Sequence, residues 1–173
     1  MSVHIIIDGY NLIRQSPVLS ELDRQDLQTA RDALIESLAV YKRTKPHKIT
    51  VVFDGVNAPV DASNRNRQRG IDIRFSRKGE TADSVIKRMA RRERERALVV
   101  SSDQEIVHFA AFQGAATISS PSFEERMAMA AAGQSGAVGE EDLTGWVPST
   151  RKKGPSRRLS KRQRRNRTKI DKL

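Results

Sequence analysis

Val3-His4-Ile5-Ile6-Ile7-Asp8-Gly9-Tyr10-Asn11 opens the chain with an apolar, largely β-branched run that stops on a carboxylate. So continuous a run, without polar alternation, suits a strand buried on both faces of a parallel sheet. Ligands of such sheets gather beyond the carboxyl ends of the strands, so Asp8 is placed for chemistry rather than packing. The same arrangement returns twice: Asp54 closes Ile49-Thr50-Val51-Val52-Phe53, and Asp103 follows Leu98-Val99-Val100-Ser101-Ser102. A fourth acid, Asp83, stands in Glu80-Thr81-Ala82-Asp83-Ser84 at a helix start.

Between these signatures the periodicity alternates. Leu27, Ala30, Leu34, Leu38 and Tyr41 recur at helical spacing over residues 25–43, with Ala33 and Ile35 widening the stripe. A long polar loop from Gly55 to Gly70 leads to an alternating strand, Ile71-Asp72-Ile73-Arg74-Phe75, whose Asp72 reads as solvent-facing. Val85, Ile86, Met89 and Ala90 mark the buried face of a helix from Thr81. A strand at 98–101, a helix at 104–113 stopped by Gly114 and a short strand at 116–118 follow. Ser122-Phe123-Glu124-Glu125 reads as a capping box opening a helix that runs to Ala132 and ends at Gly133.

This order predicts an α/β domain over residues 1–132 with a doubly wound, mainly parallel sheet. With the first strand central, Asp8 and Asp103 end neighbouring strands at the topological switch point. Asp54 ends the strand on the other side, and Asp83 enters from a helix N-terminus. Residues 133–150, rich in Gly and Ser with Glu140-Glu141-Asp142, read as a linker containing Trp146.

The net charge of +11 sits entirely in the last segment. Residues 151–173 hold twelve Lys and Arg against one acid, Asp171, while residues 1–150 balance. Few apolar residues interrupt this block, which predicts a disordered basic tail able to condense on phosphate, with a merely solubilising role as the plain alternative. Leu159, Ile170 and Leu173 are too sparse for a membrane-surface helix face. The chain has no cysteine, and His4, His47 and His108 show no ligand spacing, so thiolate zinc sites and disulfides are excluded. Without a signal-like N-terminus or an apolar run long enough for a membrane span, a cytoplasmic location is expected.

Taken singly, Asp8-Gly9 and Asp54-Gly55 could be turns, Asp103 an N-cap and Asp83 a helix-dipole partner. Their joint placement predicts one cleft with four carboxylates, bordered by Asn11, Thr81, Ser84, Ser101 and Ser102. Such hard oxygen ligands suit Mg²⁺ or Mn²⁺. Without a cation, crowded anions repel, so at least one should hold a proton more readily. Glu80 either orients a ligand or starts the helix electrostatically.

Asp8-Gly9-Tyr10-Asn11, Val51-Val52-Phe53-Asp54, Glu80-Thr81-Ala82-Asp83 and Ser101-Ser102-Asp103, in this order and at these intervals, resemble the YacP-like branch of the NYN-domain, PIN-like nucleases. The resemblance spans roughly residues 3–130. It implies a three-layer PIN-like fold and a Mg²⁺- or Mn²⁺-dependent endoribonuclease giving 5′-phosphate and 3′-hydroxyl products, with some relatives acting on ribosome-engaged RNA. It further implies an acidic centre of Asp8, Asp54, Asp83 and Asp103, with Asn11 nearby.

On that reading Asp8, Asp83 and Asp103 bind metal, Asp54 acts as ligand or from behind one, and Asn11 and Ser102 hold the metal water or the substrate phosphate. Arg65, Arg67 and Arg69 on the long loop, Lys78, and Arg88, Arg91 and Arg92 on the following helix are candidates to offset the repulsion between acids and RNA. The plain alternative for the arginine helix face is a solvated surface laced with Glu93 and Glu95. Tyr10 is expected to pack beneath the site rather than stack a base. An aspartyl-nucleophile phosphatase usually needs a second Asp two positions after the first, where Tyr10 stands here. A nucleotide-binding Rossmann protein lacks its Gly-rich loop here. The remaining alternative is a non-catalytic RNA- or ribosome-binding protein that keeps the nuclease fold, against which the intact carboxylates argue.

Overall fold

In a computed structural model, which describes residues 3–59, 65–135, 160–171 and 173, the β-branched runs become the inner strands of one sheet. β1 (His4–Asp8), β2 (Lys48–Phe53), β3 (Arg65–Gln68), β4 (Ile71–Phe75), β5 (Ala97–Val100) and β6 (Ala116–Ile118) lie in the order β3-β4-β2-β1-β5-β6. All neighbours pair in parallel except β3 with β4. β1 is central, flanked by β2 and β5, so Asp8 and Asp103 follow neighbouring strands as expected for a central first strand.

The pleat divides the β1 side chains between two cores. Ile5 and Ile7 join one apolar cluster with residues of α1 (Gly9–Gln15), α2 (Pro17–Gln25), α3 (Leu27–Thr44) and α6 (Ser120–Ser135). Ile6 joins the other, with Val85, Ile86 and Met89 of α4 (Ala82–Glu93) and Ile106 of α5 (Gln104–Phe112). The result is three layers, helix on sheet on helix, with β1 fully buried on both faces. His4 at the start of β1 is also buried, and its Nε2 lies 2.8 Å from Thr50 Oγ1.

Four features depart from the sequence expectations. Residues 9–25, read only as a turn and a connection, form α1 and α2, the second capped by Ser16 and started by Pro17. The loop from Gly55 to Gly70 carries β3, which closes a hairpin onto β4 through Arg69 and Gly70, both at positive φ. α6 starts at Ser120 and continues through Gly133 to Ser135, because an exposed glycine in a helix only weakens it. Gly114, by contrast, ends α5 as expected, at φ +93°.

The fourth departure corrects the disordered tail. Lys161–Asp171 is a helix, α7. Ser160 and Gln163 form a reciprocal capping box: Gln163 N donates to Ser160 Oγ (3.2 Å), and Ser160 N donates to Gln163 Oε1 (3.0 Å). Leu173 is buried against the larger core, Ile170 packs beside it, and Tyr41 Oη donates to the Leu173 carbonyl (2.9 Å). A few apolar residues are enough when a neighbouring surface receives them. Trp146, the rest of the expected linker from residue 136, and the tail up to residue 159 lie outside the described residues.

Candidate active site at the carboxyl edge of the sheet

Asp8, Asp54, Asp83 and Asp103 line one open cleft of about 360 Å³, together with Tyr10, Asn11, Arg14 and Asn57. Each strand-end acid is also a cap. Asp8 Oδ1 accepts from Asn11 N at the start of α1 (3.2 Å), and Asp54 Oδ1 accepts from Val56 N of a single 3₁₀ turn (3.2 Å). Asp103 Oδ1 accepts from Glu105 N (2.8 Å) and Ile106 N (3.2 Å). Turn and cap roles therefore coexist with the cleft: backbone amides hold one oxygen of each carboxylate and fix the side chain at the strand end. Asp83 lies in the first turn of α4, behind its N-cap Thr81.

A layer of hydroxyls and amides ties these acids together. Ser101 Oγ donates to Asp8 Oδ2 (3.3 Å) and accepts from Asp103 N (3.1 Å). Ser76 Oγ donates to Asp54 Oδ1 (3.4 Å) and accepts from Gly55 N (2.9 Å). Asn11 Oδ1 accepts from Ser102 N (2.9 Å) and from Ser120 Oγ (2.7 Å), and Ser102 Oγ accepts from Ser120 N (3.2 Å). Asn11 and Ser102, expected at the substrate, thus join three chain segments at the cleft wall. Tyr10 packs as expected, 5.1 Å from the Phe53 ring centroid, while its hydroxyl accepts from the buried Arg31 (3.1 Å).

Burial raises the Asp8 carboxyl to about 6; the Asn11 amide opposes that shift, and Asp83 and Asp103 add to it. Asp83 is raised as well, by burial and then by Asp103. These are anions held near one another, with Lys87 offsetting only part of the repulsion at Asp83. Among the described residues no three acidic or histidine side chains form a preassembled metal cage. The all-oxygen donors in an open cleft instead fit a hard cation that keeps several waters, as Mg²⁺ typically does.

The predicted basic residues separate into two groups. Arg65, Lys78 and Arg88 line a second cavity with Arg74 and Arg77, beside the acidic cleft. Arg67 instead faces Asp72 (3.7 Å), and Arg69 pairs with Glu36 (2.9 Å). Arg92 pairs with Glu93 (2.9 Å) in the last turn of α4. Glu80 pairs with Arg88. The site residues that escaped the sequence reading include Arg14, which needs α1 to carry it to the cleft; Ser76 and Ser120, single hydroxyls after a strand and at a helix start; Arg74, hidden by strand alternation; and Arg77 and Asn57, in connecting segments.

The model of the YacP-like NYN domain matches residues 5–172. The chain is 30% identical over 86 residues to the uncharacterized protein YacP of Bacillus subtilis (strain 168), a match spanning half of each protein. The crystal structure of Rae1 (YacP) from Bacillus subtilis superposes with a TM-score of 0.65 and 26% identity, covering 78% of each chain. A mutant of the same protein gives a TM-score of 0.61 and 26% identity over 74% of this chain and 76% of that one. The match runs through α7, which the basic composition alone had set apart. By that match, and by its shared three-layer fold, the chain belongs to the YacP-like NYN domain family, a nuclease-type domain.

Proposed function

We propose that the protein is a metal-dependent endoribonuclease that hydrolyses RNA phosphodiester bonds at Asp8, Asp54, Asp83 and Asp103. The observation that carries this reading is the convergence of four carboxylates, from four separate segments, on one cleft at the carboxyl edge of the sheet. Asp8, Asp83 and Asp103 would hold Mg²⁺ or Mn²⁺, which supplies charge neutralisation and a more acidic water. Asp54, bridged to Ser76, orients the site from the β2 side. Asn11 and Ser102 keep the strand-end loops in register. Arg14 at the rim and the neighbouring cations offset the repulsion of the incoming strand. Hydrolysis breaks the bond from phosphorus to the 3′ oxygen, leaving a 5′-phosphate and a 3′-hydroxyl.

We assign the exposed basic face of α7 to a separate contact with structured RNA, including RNA on a ribosome, and a cytoplasmic setting goes with that partner. This face also favours the second reading, an RNA- or ribosome-binding protein that does not cut. Among the described residues no helix is long and apolar enough to cross a membrane.

The test uses end-labelled single-stranded RNA with Mn²⁺ or Mg²⁺, wild type beside Asp8→Asn and Asp103→Asn, and EDTA as control. Internal cutting that needs the ion and disappears in both variants is expected. RNA binding without cutting, on free RNA and on ribosomes alike, would select the non-catalytic reading.

A further inference from the structure

Beyond the acidic cleft, on the other side of the first turn of α4, lies a cavity of about 470 Å³ lined by Arg65, Arg74, Arg77, Lys78 and Arg88. Among the described residues its only acidic lining residue is Glu80. Glu80 pairs with Arg88, and its carboxylate also faces Arg77 N at 3.4 Å. Arg67 and Arg69 of the same hairpin have acidic neighbours elsewhere, whereas Arg74, Arg77 and Lys78 line this cavity beside a carboxylate already paired with Arg88.

Among the described residues, gathering Arg74, Arg77, Lys78 and Arg88 around the single carboxylate of Glu80 costs free energy unless an anion enters. Arg74 shows the crowding: burial first, then Arg65, Arg92 and Arg88, lower its affinity for its proton, with only Asp72 opposing. The apolar lining residues are Phe75 and Val85, both buried, so among the described residues no exposed ring of this cavity offers a stacking platform for a base. Guanidinium forks without a stacking surface suit a phosphate.

The two cavities share a wall. Ser76, directly after β4, donates to Asp54, while Ala82 and Asp83 line the acidic cleft only two and three positions after Glu80. A strand crossing the start of α4 therefore meets both. We infer that the pocket of Arg65, Arg74, Arg77, Lys78 and Arg88 is a second anion site, holding a backbone phosphate of the RNA whose scissile bond lies among the carboxylates, with Glu80 as its internal competitor. This rests on the nuclease reading for the position of the scissile bond, but not for binding itself.

The experiment separates the two. Fluorescence anisotropy of a labelled single-stranded RNA is measured in EDTA over a salt series, so that nothing is cut. Each lost phosphate contact on a single strand flattens the slope of log K against log salt by about 0.7. Arg77→Gln/Lys78→Gln should flatten it by about 1.4 relative to wild type, by the same rule. Arg43→Gln/Lys48→Gln, at the opposite edge of the sheet, should leave it unchanged, and Glu80→Gln should tighten binding. In Mn²⁺ the first variant should raise KM while kcat is kept.

Circular dichroism confirms that each variant is folded. An unchanged slope in Arg77→Gln/Lys78→Gln, an equal loss in the opposite-edge variant, or weaker binding in Glu80→Gln overturns the pocket. If the wild type never cuts but the slopes behave as stated, the pocket stands and the nuclease reading fails. If it cuts but the slopes do not move, only the pocket fails.

Discussion

Asn11 and Ser120, 109 positions apart, share a 2.7 Å hydrogen bond at the wall of the acidic cleft. The same Asn11 oxygen takes the Ser102 amide, so one side chain sets α1, the loop after β5 and α6 against one another. Asn11→Ala removes the acceptor for two donors, an unsatisfied pair worth about 1–3 kcal/mol. A fall in Tm of about 2–10 °C is expected in differential scanning calorimetry. An unchanged Tm would show that water replaces the side chain without cost.

Asp8 ties stability to pH. Burial holds its folded carboxyl at about 6, whereas an unfolded Asp titrates near 3.9. The folded state binds this proton more tightly, so the contribution of Asp8 is most favourable below about pH 4, is lost as pH rises through about 6, and is flat above that. The loss is of order 2–3 kcal/mol, and Asp83 acts in the same sense. Metal-free Asp8→Asn should therefore melt above wild type at pH 7.5 and close to it at pH 4, since Asn also keeps the cap. Adding Mn²⁺ should raise the wild-type Tm and leave the variant unmoved. A variant less stable than wild type at pH 7.5 would contradict this account.

Gly9 and Gly55 follow two of the acids for steric reasons. A Cβ on Gly9 would overlap the Phe53 ring and reach within 2.9 Å of Val51. On Gly55 it would strike the carbonyl oxygen of Ser76, which is backbone and cannot rotate away. Alanine at Gly55 should cost about 1–3 kcal/mol and shift Asp54. Urea unfolding midpoints read the first effect, and Mn²⁺ affinity by calorimetry reads the second. A midpoint equal to wild type would mean that the β4 end yields freely.

Leu173 holds α7 on the domain. Leu173→Ala should remove about 2–3 kcal/mol of packing, and Tyr41→Phe should remove one hydrogen bond. Amide exchange in residues 161–171 should accelerate in both, while β1 and β5 stay protected. Equal protection of α7 in wild type and variants would mean that the capping box alone sustains the helix.

The sheet and its acids were legible because the cues are local. β1, β2 and β5 are apolar runs that need both faces covered, and each ends on an Asp or within three residues of one. α1 and α2 were missed because Asp8-Gly9 reads equally as a turn, although Ser16-Pro17 is a helix-start signal. α7 was missed because its basic composition suggested disorder, while its capping box and one buried leucine work against that bias.

The sequence by itself determined the α/β order with a mainly parallel sheet and the strand-end positions of Asp8, Asp54 and Asp103, while the strand order that sets β1 at the centre came from the fold. Periodicity and strand-end position depend only on neighbours along the chain. Tertiary structure alone decided which cations face the site and which are neutralised elsewhere, since Arg67 and Arg69 find Asp72 and Glu36 while Arg74 joins Arg65 and Arg88. It also decided that Asn11 braces the cleft and that the basic helix is anchored. Charge pairing and burial depend on distances between residues remote in sequence, and those distances exist only once the chain has folded.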